Sequence, residues 1–262
     1  MLLNKILVIG ASHTGAFRQL LNDGFEIPGY IFDVYGINGA AFTNENLIKS
    51  SNNMLELSGV FAEGSHHNWF HSKETSIINL EEYCGVFLLE PLFIIAGLMR
   101  QQLWNNRKGI CTEFLSGSEF FFPTFSLGKF IPITTHQWLE IYKNWRVGSI
   151  ITMSTIRSIN KNIPILILPT PLPPKRLDSA AYAYYNLKEQ AFLALYLQNT
   201  FNIKFILQPK FTLNIDLTTF DEFHEREPDP HHPTPKYYAE LLSKTIDFNS
   251  LDFYAEFKKG PL

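Results

Sequence analysis

Along the chain, short apolar runs alternate with segments whose apolar residues recur at helical spacing. Five runs are of strand length and apolar almost throughout: KILVIG (5–10), YIFDVYG (30–36), GVFLLE (85–90), IPILILP (163–169) and KFILQP (204–209). A strand that is apolar on both faces fits between two covering layers, so the pattern predicts a mostly parallel sheet. Three helices are predicted with it. TGAFRQLLND (14–23) stops at Gly24, LDSAAYAYYNLKEQAFLALYLQNTF (177–201) has Asp178 or Ser179 as a cap, and PKYYAELLSKTID (235–247) begins on proline. This alternation implies a three-layer α/β/α sandwich of about five strands, joined by right-handed crossovers. In such sheets ligands sit beyond the carboxyl ends of the strands. Residues 104–146, with the Phe-, Gly- and Pro-rich GSEFFFPTFSLGKFIPI, break the alternation. They read as an insertion or lid on a single domain spanning 1–262.

The first strand runs into Gly10-Ala11-Ser12-His13-Thr14-Gly15, and three readings fit that turn. A phosphate cradle wants G-x-G-x-x-G with an acid near the end of the second strand; Ser12 stands in place of the middle glycine, and Asp33 is the available acid. A plain strand-to-helix connection would use Ser12 as the helix cap. A catalytic turn would use it as nucleophile, which requires a base, a group to hold that base, and donors for the oxyanion. The stretch EREPDPHHPTPKYYAELL (225–242) supplies the first two, with Asp229 three residues before His232 and the last helix just beyond. His231 stands beside His232 as the alternative base. Both loops follow strands of one sheet, so Ser12 and the histidine fall on the same edge.

Composition narrows the partners. A formal net charge of −3 with no basic run argues against nucleic acid. The 23 Phe imply thick packing layers or an apolar pocket, without choosing between them. Cys84 and Cys111 are far apart and lack CxxC spacing, so free thiols are expected and a structural zinc site is not. His67 and His71 are four apart, but no Glu adjoins the first, and no metal is expected. That segment reads instead as a loop at the site's edge, where His67 contacts substrate, with His13 and Glu90 as further contacts. Phe120-Phe121-Phe122 reads as packing or lid. The run 85–99 is cut by Glu90-Pro91 and too short to span a bilayer, and LLNKILVIG reads as a strand rather than a signal segment. A cytoplasmic protein with no membrane span is the expectation.

Ser12 after the first strand, Gly36-Ile37-Asn38-Gly39 after the second, and Asp229-Pro-His-His232 before the last helix resemble the SGNH, or GDSL-like, hydrolase family. The resemblance implies a flavodoxin-like fold and acyl transfer to water or to an alcohol, often on carbohydrates. It makes Ser12 the nucleophile, and Asp229 and His232 its partners. The Ser12 and Gly39 N–H groups would be oxyanion donors. Two positions depart from the family pattern. Ala11 stands where the family has Asp, and Leu88-Leu89-Glu90-Pro91-Leu92-Phe93 lacks the Asn that supplies a further oxyanion bond. Asn38 and His13 are the candidates to replace it. The function implied is an acyl ester hydrolase or O-acyltransferase, acetyl being the expected group, acting on a glycan or small-molecule ester. Polysaccharide biosynthesis is one setting. Hydrolysis needs no cofactor; transfer would take acetyl-CoA as a possible donor. The alternatives are a glycan-binding protein of the same fold and a nucleotide-binding enzyme built on the Gly10–Gly15 turn.

Overall fold

A computed structural model describes residues 3–36, 48–51, 53–57, 77–89, 109–112, 130–133, 135–172, 180–225 and 232–258. Its central sheet contains β1 (Asn4–Gly10), β2 (Tyr30–Gly36), β3 (Gly85–Leu89), β4 (Ile165–Leu168) and β5 (Lys204–Phe205). These five strands lie in the order β2-β1-β3-β4-β5, every neighbouring pair parallel. This is the flavodoxin-like order, in which the direction of winding reverses between β1 and β3. The helices are α1 (Thr14–Asn22), α2 (Thr135–Trp145), α3 (Val147–Ile159), α4 (Ala180–Phe201), α5 (Pro235–Thr245) and the single turn α6 (Ala255–Lys258).

The apolar runs behave as their two-sided pattern requires. Along β1, Ile6 and Val8 join one core with Phe17 of α1 and Tyr237, Tyr238 and Leu241 of α5. Leu7 and Ile9 join a second core with Tyr142 of α2, Met153 and Ile156 of α3, and Leu193 and Leu197 of α4. Successive strand side chains point to opposite faces, so a strand covered on both sides must be apolar at every position. The protein is a three-layer α/β/α sandwich. The phenylalanines of the first core build a packing layer: Phe17, Phe32, Phe87 and Phe248 form successive ring contacts with centroids 5.6, 6.1 and 6.3 Å apart.

Three helices, α2, α3 and the single turn α6, were not predicted. The buried positions of α3 are Gly148, Ser149, Thr152, Met153 and Ile156, which have helical spacing but are mostly small or polar. Thr152 Oγ1 satisfies itself by donating to the Gly148 carbonyl at 2.7 Å, so the hydroxyl is tolerated inside. A search for apolar periodicity passes over such a face. Arg157 then ties the ends together, donating to the carbonyls of Ile163, Phe201 and Asn202. Two of those carbonyls lie at the C-terminus of α4, where a cation complements the helix dipole.

Part of the stretch expected as an insertion belongs to the body of the fold. Tyr142 of α2 is completely buried in the second core, so residues 135–146 form part of a helical layer. Before it, Gly109–Thr112 and Phe130–Ile133 pair in parallel with each other; Phe120–Phe122 lie outside the described residues. A small antiparallel sheet of Ile48–Ser51, Met54–Leu57 and Ile77–Ile78 adds Leu55 and Ile78 to the second core. Among the described residues, no helix is long and apolar enough to cross a membrane.

Candidate functional site

The site begins where β1 ends. Gly10 lies opposite Leu89 of β3, and a Cβ on Gly10 would stand 2.5 Å from the Leu89 Cβ and 2.9 Å from its carbonyl oxygen. Only glycine allows the two strand ends to come that close. Gly10 therefore has a packing reason for being glycine, independent of any phosphate. The chain then turns tightly: the N–H and Oγ1 of Thr14 both donate to the Ala11 carbonyl, at 3.0 and 2.6 Å. The Gly15 N–H donates to the Ser12 carbonyl at 3.0 Å. The cap position of α1 falls on His13, in αR geometry and without a side-chain capping bond. Ser12 is thus not the helix cap. It sits half-buried two residues past the end of β1, at the edge where the winding reverses.

A cleft of about 210 Å³ opens there, lined by Ser12, Gly15, Ala16, Gln19, Glu225, His232 and Pro233. One wall is the turn and first helix. The other is a narrow antiparallel ladder, with His224 bridged to Pro233, the Glu225 N–H donating to the His232 carbonyl at 3.0 Å, and the Thr234 N–H donating to Phe223 at 2.9 Å. Thr234 Oγ1 adds a bond to the Glu222 carbonyl just before proline opens α5.

A buried polar network fastens this ladder to the segment after β4. His224 Nε2 lies 2.8 Å from the Leu172 carbonyl, which can only accept, so Nε2 carries the proton. Thr219 Oγ1 donates to the same carbonyl at 2.5 Å. The Leu172 N–H donates to Gln208 Oε1 at 2.6 Å, and Gln208 Nε2 donates to Thr212 Oγ1 and Thr219 Oγ1 at 2.9 and 3.0 Å. A buried network with this many bonds holds its members in one arrangement. His232 is therefore presented on a rigid support.

His13 was expected to contact substrate, but its side chain is 2% exposed and is not among the residues lining the cleft. Its ring meets that of His232 edge-on, with centroids 5.9 Å apart and planes at 80°. Burial, and then the nearby His232 and His224, hold its pKa well below the ordinary imidazole value of 6.5. His13 is thus an uncharged ring packed beside His232.

The lowered pKa gives a stability prediction. Above the ordinary value neither the folded nor the unfolded chain protonates this group. Below it only the unfolded chain does, and stability is lost as pH falls towards the folded pKa. Urea melts should show the advantage of the native protein over His13→Gln shrinking by about 1.4 kcal/mol between about pH 7.5 and about pH 5.5. An unchanged difference would mean that His13 takes up its proton in the fold.

Of the other residues singled out, Asn38, Gly39, His67, His71, Glu90, Asp229 and His231 lie outside the described residues. Asp33, which a nucleotide site needs near the end of β2, is opposite Leu7 in mid-strand and accepts the Tyr83 hydroxyl at 2.9 Å. Cys84 is a free thiol, donating to the Lys5 carbonyl. Among the described residues, no group of three or more His, Cys, Asp or Glu is arranged to hold a metal ion. The structure thus brings Ser12 and His232 into one cleft, and adds Glu225 and Gln19, which the sequence did not single out. In comparisons with known proteins, no family model, no curated protein and no solved structure matches the chain.

Proposed function

We propose that the protein is a serine-dependent acyl ester hydrolase or O-acyltransferase of SGNH type, with Ser12 as nucleophile and His232 as general base. One observation carries this reading: a serine just past the first strand and a histidine just before the last long helix line the same cleft. The Ser12 hydroxyl attacks the acyl carbonyl carbon while His232 takes its proton. The tetrahedral intermediate collapses, the ester C–O bond breaks, and His232 returns the proton to the leaving alcohol. Water, or an acceptor hydroxyl deprotonated by the same imidazole, then releases the acyl group from Ser12. The Ser12 N–H, with Gly39 and Asn38, serves the oxyanion in this scheme.

The cleft, about 210 Å³ in volume, has room for a short acyl group such as acetyl. Gln19 and Glu225 give the lining polar groups suited to hydroxyls, as a sugar acceptor has. In the transferase version acetyl-CoA is the donor class. A second reading rests on the sequence Leu88-Leu89-Glu90-Pro91-Leu92-Phe93, which lacks the family's oxyanion asparagine: a glycan-binding protein that has lost turnover.

A fluorophosphonate probe and p-nitrophenyl acetate separate these readings. Covalent labelling mapped by mass spectrometry to Ser12, together with ester hydrolysis, is the expected result. Sugar binding with neither labelling nor turnover would remove the enzymatic reading and leave the binding one.

A further inference from the structure

The ladder that carries His232 has a register that reaches beyond the backbone. With His224 bridged to Pro233 and the Glu225 N–H bonded to the His232 carbonyl, Glu225 and His232 are directly opposite each other. Residues opposite one another in an antiparallel pair project from the same face, with Cβ atoms about 4.5–5.5 Å apart. Both side chains accordingly line the cleft that holds Ser12. We propose that Glu225 is the carboxylate that orients His232, reaching the imidazole from the opposite strand of the ladder. The inference rests on the reaction proposed above.

The chemistry asks for such a group at this point. When the imidazole takes the Ser12 proton it becomes a cation, and an adjacent carboxylate both fixes its tautomer and stabilises that charge. His13, the ring in edge contact with His232, is itself an imidazole and has no negative charge to offset that cation. Among the described residues lining the cleft, Glu225 is the one with a carboxylate. Its backbone is fixed on three sides: by its own bond to His232, by Thr234 bonded to Phe223 and Glu222, and by His224 tied to Leu172. An orienting group needs that rigidity, because a displacement of about 1 Å in a reacting constellation costs about 10²-fold in rate. Asp229 reaches the same role from sequence spacing alone; Glu225 reaches it through pairing.

Glu225→Gln keeps the shape and removes the charge. It is expected to lower kcat and the rate of fluorophosphonate labelling at Ser12 by on the order of 10²–10⁴-fold, as charge removal does in related triads. KM should stay within about twofold, since the lost interaction belongs to the transition state. A low-field imidazole N–H proton resonance that depends on His232 should be present in the native protein and disappear in Glu225→Gln. That signal reports the pairing even if catalysis fails for another reason. A rise in KM with kcat unchanged would make Glu225 a substrate contact and overturn the proposal. So would a Glu225→Gln protein with kcat within about threefold of native while Asp229→Asn loses its turnover. Absence of labelling at Ser12 in the native protein would instead count against the reaction itself, and the resonance would still decide the pairing.

Discussion

Ser12→Ala and His232→Ala are each expected to lower ester turnover by about 10⁴–10⁶-fold, and the double variant should lose no more than the worse single one. Nucleophile and base act as one unit in the proposed reaction. Once either is gone the other has nothing to do, and only the residual effects of binding and oxyanion donors remain. Both side chains sit half-buried at the lining of a cleft rather than in either core, so truncation opens no packed space. Melting temperatures should therefore change little while kcat collapses. Losses that multiply in the double variant would mean that Ser12 and His232 serve separate steps, and turnover retained in Ser12→Ala would remove the serine from the chemistry.

The two residues in that test are legible in the sequence, for a reason rooted in topology. Parallel strands all end on one edge, so a serine after the first strand and a histidine after the last must share that edge wherever the chain wanders between them. The strands were legible too, because burial on both faces writes a continuous apolar run. What sequence could not show depends on angles and pairings. His13 follows Ser12 directly, yet its backbone already has the αR geometry of the helix entry, and its ring is buried beside His232 rather than lining the cleft. Six residues separate Glu225 from His232 in the sequence, and nothing in EREPDPHH says which residues at its two ends will face one another. The helix α3 escaped because Gly148, Ser149 and Thr152 carry its inner face, and a buried hydroxyl bonded to its own helix looks like a surface residue in a hydropathy pattern.

The abundance of phenylalanine, which sequence left between packing and pocket, yields the largest stability effect. Phe87→Ala is expected to destabilise the protein by about 3–5 kcal/mol, the usual cost of removing a buried ring with its cavity. Phe87 is completely buried at the centre of β3, paired with Val8 of β1 on one side and Leu166 of β4 on the other. Its ring meets Phe32 at 6.1 Å and Phe248 at 6.3 Å, and Phe32 passes the contact to Phe17, which meets Tyr238 of α5 at 5.4 Å. The layer continues through Tyr237 to Phe223, whose carbonyl holds Thr234 in the ladder carrying His232. Strands on both sides and a chain of rings leave little room for collapse into the vacated space, which argues for the upper part of that range. The melting temperature should fall by on the order of 10 °C for a chain of this size. Well below that temperature, labelling of Ser12 should proceed at close to the native rate, because the ring supports α5 without touching the cleft. A loss under about 1 kcal/mol would show that the neighbouring rings repack, and that the aromatic layer is softer than its ring contacts indicate.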